Sequence, residues 1–119
     1  MDEQMMQFDV FTHDGATVVM PVGSRLDAEV AGEFRAKLLD LIDQGHDHLV
    51  VDLPHVDFID SSGLGALVSA LKTLKANGGK GDVRLAHVQE PVVALLEIIR
   101  LNRVFTTYAS VENAVQSYS

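Results

Sequence analysis

The chain has 119 residues and a formal net charge of −8 at neutral pH; it contains no cysteine and no tryptophan and is 47% hydrophobic. That length and apolar content fit one domain with an aliphatic core, and the missing cysteines exclude disulfides, cysteine-ligated zinc and thiol catalysis. The acidic balance argues against general nucleic-acid binding, which needs Lys and Arg to neutralise phosphates, and no apolar run approaches the roughly 18 residues of a membrane span.

The opening Met1-Asp2-Glu3-Gln4 lacks the basic start and apolar run of a signal peptide. The expectation is a soluble, cytoplasmic protein whose acidic surface meets a basic patch on a partner. Met6 to Thr12 alternates apolar and polar residues and predicts an edge strand; Thr17 to Val22 predicts a second. His13-Asp14-Gly15 between them signals a hairpin turn. Pro21 would weaken a central ladder near the end of the second strand. Asp27 reads as a helix N-cap, and Val30, Phe34, Leu38 and Leu41 share one face of the helix behind it, which Gly45 ends.

Leu49-Val50-Val51-Asp52-Leu53 reads as a buried strand. After the stretch Val56 to Gly65, the residues Leu64, Leu67, Val68, Leu71 and Leu74 repeat at helical spacing, with Lys72 and Lys75 on the other side. Asn77-Gly78-Gly79 ends that helix. Asp82 to Val88 predicts another strand, and Pro91 suits the first turn of a third helix carrying Val92, Leu95, Leu96 and Ile99. Val104 to Tyr108 predicts a last strand, and Ser110 caps a short terminal helix through Ala114 and Val115. Strands alternating with helices predict a mixed, mostly parallel α/β sheet, antiparallel near the N-terminus, with about four helices packed on it.

The chemistry concentrates in Val56-Asp57-Phe58-Ile59-Asp60-Ser61-Ser62-Gly63-Leu64-Gly65. A strand-like run ends in an acid, two hydroxyls and two glycines, and a helix begins. Two readings stand side by side. Asp60 or Ser61 caps the helix and the glycines make the turn; or Ser61 and Ser62 offer an accessible phosphoacceptor. The helix N-terminus tolerates a phosphate electrostatically, and a phosphate adds about −1.5 to −2 charges that would repel a surface matched to a neutral hydroxyl. Gly63 and Gly65 leave room for another protein.

Enzyme motifs are missing. Neither serine has a glycine two residues before it, as a nucleophile elbow requires, and neither a phosphate-binding loop nor a dinucleotide fingerprint is present. Of the five histidines, His13, His46, His48, His55 and His87, only His46 and His48 lie close together, flanking Asp47; with no third ligand they read as turn residues, and no metal site is expected. Asp52, Asp57 and Asp60 could pair as carboxylates only if the fold brought them together.

On Asp60-Ser61-Ser62-Gly63-Leu64-Gly65, preceded by Val50-Val51-Asp52-Leu53 and Val56-Asp57-Phe58-Ile59, the chain resembles a STAS domain, and more narrowly the bacterial anti-sigma factor antagonists. Ser24-Arg25-Leu26-Asp27 is similar to the family's Gly-x-Leu-Asp turn, although Ser24 stands where the family often has glycine and Gly23 lies one residue earlier. Gly78-Gly79, Val83-Arg84-Leu85, Leu101 and Val104-Phe105 resemble the family's second half.

The resemblance implies an α/β fold of the STAS (SpoIIAA-like) type, one domain over residues 1–119, and a regulatory module with no catalytic residues and no cofactor. It implies partner switching. The unphosphorylated antagonist binds an anti-sigma factor that is also a Ser/Thr kinase with a histidine-kinase-like fold, and a sigma factor is released to act in transcription. Phosphorylation on the first serine of the motif, Ser61, breaks the complex, and a PP2C-type phosphatase restores it. Ser62, Gly63, Leu64, Gly65, Asp60 and Asp27 would form the phospho-loop and partner surface; no nucleic acid or membrane is expected, and the free protein would be a monomer or weak dimer. The alternatives are a STAS scaffold or accessory subunit of a signalling or lipid-transport assembly without a phospho-switch, and a weak nucleotide hydrolase using Asp27 and Asp60.

Overall fold

The computed structural model describes residues 6–119; the opening Met1–Gln4, read above for a leader, lies outside them. Two strands, β1 (Phe8–His13) and β2 (Ala16–Pro21), form an antiparallel hairpin. Its turn, Asp14-Gly15, has φ of 51° and 84°, the positive values that a tight two-residue hairpin turn takes. A two-residue strand β3 (Arg25–Leu26) precedes helix α1 (Ala31–Asp43). Then come β4 (His48–Asp52), the short β5 (Phe58–Ile59), helix α2 (Ser61–Ala76) and β6 (Asp82–Ala86). Helix α3 (Glu90–Ile98), a 3-10 turn at Leu101–Arg103, β7 (Thr107–Tyr108) and helix α4 (Val111–Gln116) complete the order.

The main sheet runs β1-β2-β4-β6-β7, parallel except for the β1–β2 pair. Along β4 the side chains alternate between two cores. Leu49 and Val51 join the larger cluster under α1, α2 and α3, with Phe34, Leu38, Leu67 and Leu96. Val50 joins Val18, Ala86, Ala114 and Val115 under α4. On α2 the buried positions Leu64, Leu67, Ala70 and Leu74 recur three and four residues apart, which seats one stripe of the helix on the sheet. Each buried leucine contributes about 2 kcal/mol of transfer free energy, so this stripe fixes where the helix starts.

Several details differ from the sequence reading. Asp27 is not the N-cap of α1; Val30 is, and no side chain caps that end. Asp27 instead closes a turn. Its Oδ1 accepts the Glu29 N–H at 3.1 Å, and its carbonyl accepts the N–H groups of Val30 and Ala31. The helix therefore begins four residues later than its first polar signal. The last strand is only Thr107–Tyr108, because a 3-10 turn occupies Leu101–Arg103 and Phe105 turns into the core. β6 stops at Ala86, and His87 follows with φ of 54°. Beyond the expected strands, β3 and β5 pair in parallel as a separate ribbon, Arg25 with Phe58 and Leu26 with Ile59.

Candidate functional site

That ribbon positions the serine motif. Asp57 and Phe58 both direct their N–H groups to the Ser24 carbonyl, and the Asp60 N–H reaches the Leu26 carbonyl at 3.3 Å. The loop after β2 and the chain entering α2 are thus laced together by backbone bonds. Asp60 then caps α2. Its Oδ1 accepts the N–H groups of Ser62, at 2.9 Å, and Gly63, at 3.1 Å. These two donors belong to the four that a helix start leaves unpaired. The other oxygen, Oδ2, accepts the Ala28 N–H at 3.1 Å, so one carboxylate fixes both loops.

Ser61, the first residue of α2, is exposed, and so is Ser62. The capping role falls to Asp60. Ser61 stands at the N-terminal, positive end of a helix of 16 residues, and among the described residues its hydroxyl takes no part in the cap.

The two glycines of the motif differ. A Cβ on Gly63 would collide with the Leu26 carbonyl oxygen and stand 2.8 Å from Ile59 Cγ1. Gly63 is required by close packing against β3 and β5, not by a left-handed backbone, since its φ is not positive. Gly65 is exposed, and a Cβ there would meet nothing within 4 Å. Leu64 is 7% exposed and points into the core, so it anchors the loop from within and presents no side chain to a partner.

Two features of this surface were not singled out from the sequence. Arg25 lays its guanidinium 4.2 Å above the Phe58 ring and bonds Asp27 Oδ2 through Nε at 3.0 Å. Phe58 is half-exposed. The Arg25 hydrogen bond holds the Asp27 carboxyl below the usual carboxylate range, helped by the Glu29 N–H. Neither two-residue strand carries a periodic signal, and it is their pairing that sets Arg25 opposite Phe58. Beside this pair an open groove of about 360 Å³ includes Gln7, Ser24, Arg25, Asp27 and Glu29 in its lining. Among the described residues its one cation, Arg25, is already bound to Asp27, and the remaining charge is acidic, which disfavours an anionic ligand.

The other candidates are structural. Asp52, at the end of β4, is 8% exposed and bonds His87 Nδ1 at 2.8 Å. Asp57 is exposed on the loop before β5. The three acids, Asp52, Asp57 and Asp60, therefore serve separate arrangements. His46 bonds the buried Thr17 hydroxyl at 2.7 Å, and His48 stacks on Tyr118. Among the described residues no group of three or more metal-ligating side chains comes together.

The STAS domain family model matches residues 7–114. The chain is 33% identical over 95 residues to the anti-sigma-B factor antagonist of Bacillus subtilis, spanning 80% of this chain and 84% of that protein. It is 28% identical over 111 residues to the anti-sigma F factor antagonist of Paenibacillus polymyxa, spanning 92% of each. A crystal structure of an anti-sigma factor antagonist from Mycobacterium paratuberculosis superposes with a TM-score of 0.81 over 95% of this chain and 93% of its own; at 21% identity that likeness is one of fold. The chain belongs to the STAS domain family, and its curated relatives include anti-sigma factor antagonists.

Proposed function

We propose that this chain is an anti-sigma factor antagonist, a regulatory binding module that is itself a substrate and not an enzyme. In its unphosphorylated form it would bind a cytoplasmic anti-sigma factor with a histidine-kinase-like Ser/Thr kinase fold. Phosphorylation on Ser61 would end that complex, and a PP2C-type phosphatase would renew it. The observation that carries this reading is the division of labour at the start of α2: Asp60 takes the cap, leaving Ser61 exposed at the helix N-terminus.

The physical logic is one of charge. A phosphate at Ser61 would be tolerated by the α2 dipole, so the fold survives. It would add negative charge next to Asp60, on a chain already at −8. A partner surface fitted to a neutral hydroxyl then meets repulsion and desolvation cost. Gly65, one helical turn beyond Ser61 and open to solvent, would allow a partner's close approach. The test is incubation with the cognate kinase, ATP and magnesium, followed by peptide mass spectrometry. Phosphate on Ser61 alone supports the reading; phosphate elsewhere with Ser61 unmodified, or none, refutes it.

A further inference from the structure

β1 forms one edge of the main sheet, and among the described residues no strand lies on its outer side. Its sequence, Phe8-Asp9-Val10-Phe11-Thr12-His13, contains neither lysine nor proline, residues with which edge strands commonly prevent pairing. Val10 is 37% and Phe11 52% exposed.

The hairpin dictates which backbone groups of β1 remain free. The Val22 N–H donates to the Gln7 carbonyl. Continuing that register, Asp9, Phe11 and His13 turn their amides toward β2, and Phe8, Val10 and Thr12 turn theirs outward. A strand laid antiparallel on this edge must bond through those three residues.

The edge is complementary to itself. When β1 of a second copy is laid so that Val10 faces Thr12, symmetry supplies the bonded pair twice. Phe11 then faces Phe11 on the two-fold axis, and Asp9 faces His13 on either side. These are pairs without mutual hydrogen bonds, in which opposed Cα atoms lie only about 4.5 Å apart and side chains meet most closely. Phe11 pairs with Val18, which belongs to the α4 face, so the three pairs lie together on that side of the sheet. Neighbouring registers that use the same free groups lose this match: Val10 against Val10 places Asp9 against Phe11, and Phe8 against Val10 sets Asp9 on Asp9. His13 sits 3.8 Å from its own Asp14, close to where a second acid would arrive.

We propose that the outer edge of β1 is a homodimer interface, paired antiparallel about Phe11 with Asp9 against His13 of the second copy, which joins the two main sheets into one. The interface is independent of the Ser61 surface reading.

The full chain has no cysteine, so a single introduced thiol reports its own position. Under mild oxidation Phe11→Cys should give a disulfide-linked dimer, because opposed Cα atoms at that separation suit a disulfide; Thr12→Cys should not, its partner being residue 10. By sedimentation equilibrium the wild type should dimerise with concentration. Asp9→Lys should weaken dimerisation severalfold, and Asp9→Lys combined with His13→Glu should restore it. A wild type that stays monomeric at every concentration, Thr12→Cys crosslinking as readily as Phe11→Cys, or a charge swap that fails to restore dimerisation would overturn the proposal.

Discussion

Asp60 Oδ2 accepts the Ala28 N–H at 3.1 Å, across 32 positions of sequence. The same carboxylate caps α2, so the start of the serine helix and the turn before α1 share one side chain. Asp60→Ala should therefore lower stability by about 1–2 kcal/mol, the cost of a lost N-cap with a second acceptor removed. Asp60→Asn keeps a capping oxygen and should lose less. Urea unfolding of both variants checks this; an Ala variant as stable as wild type would contradict the clamp.

Gly63 and Gly65 should respond in opposite ways. Gly63→Ala forces a Cβ against the Leu26 carbonyl, and overpacking of this kind costs about 1–3 kcal/mol. Gly65→Ala adds a methyl to open space within α2 and should stabilise the free protein by about 0.5–1 kcal/mol. If Gly65 lies under the kinase, the same variant should bind it more weakly while melting higher. Thermal melts together with binding isotherms separate the two effects.

Much of this architecture was readable from residue order. Asp14-Gly15 marked the hairpin, the unbroken run at Leu49–Val51 marked a strand buried on both faces, and the leucine spacing after Gly63 marked α2. The short elements were not. Arg25–Leu26 and Phe58–Ile59 are each only two residues long and carry no periodicity of their own; they become strands by finding each other. Asp27 was misread because its side chain satisfies a local turn and not the helix behind it. The need for glycine at position 63 was legible, but its cause was not, because a clash with Leu26 is a tertiary fact. Met6 to Thr12 read as an edge strand, and the topology puts β1 at an edge of the main sheet; the exposure of Val10 and Phe11 there was not legible from residue order.

Tyr118 supplies a separate test of the sheet. Its hydroxyl lies 2.7 Å from the carbonyls of both Leu49 and Asp82, which share its one proton, and its ring lies between His48 and the Arg84 guanidinium. Burial, with the nearby Asp82 charge, pushes the phenol above the ordinary tyrosine range. Tyr118→Phe should cost about 1–2 kcal/mol, since two carbonyls lose their shared donor. A phenol whose folded pKa is raised stabilises the fold fully below its unfolded value of 10.0, and that contribution declines as pH climbs past it. The alkaline fall in stability should be shallower in Tyr118→Phe, as pH-dependent denaturant melts would register.

Asp27 predicts the acid side. Its carboxyl is held below the unfolded value of 3.8 chiefly by the Arg25 hydrogen bond. The contribution is therefore present above pH 3.8 and is lost as pH falls through the lower folded value. Asp27→Asn should make the acid limb of the stability curve shallower, and Arg25→Gln should do the same. Unchanged acid limbs in both variants would mean that the pair contributes nothing to the fold.

Under the proposed function the charge state of Ser61 selects the partner. The most direct test is a paired pull-down from cell lysate with ATP and magnesium, using Ser61→Ala and Ser61→Asp as baits and mass spectrometry to identify what is retained. The Ala bait should retain a Ser/Thr kinase with a histidine-kinase-like fold, and the Asp bait should not. Retention of the same proteins by both baits, or of no kinase by either, would contradict it.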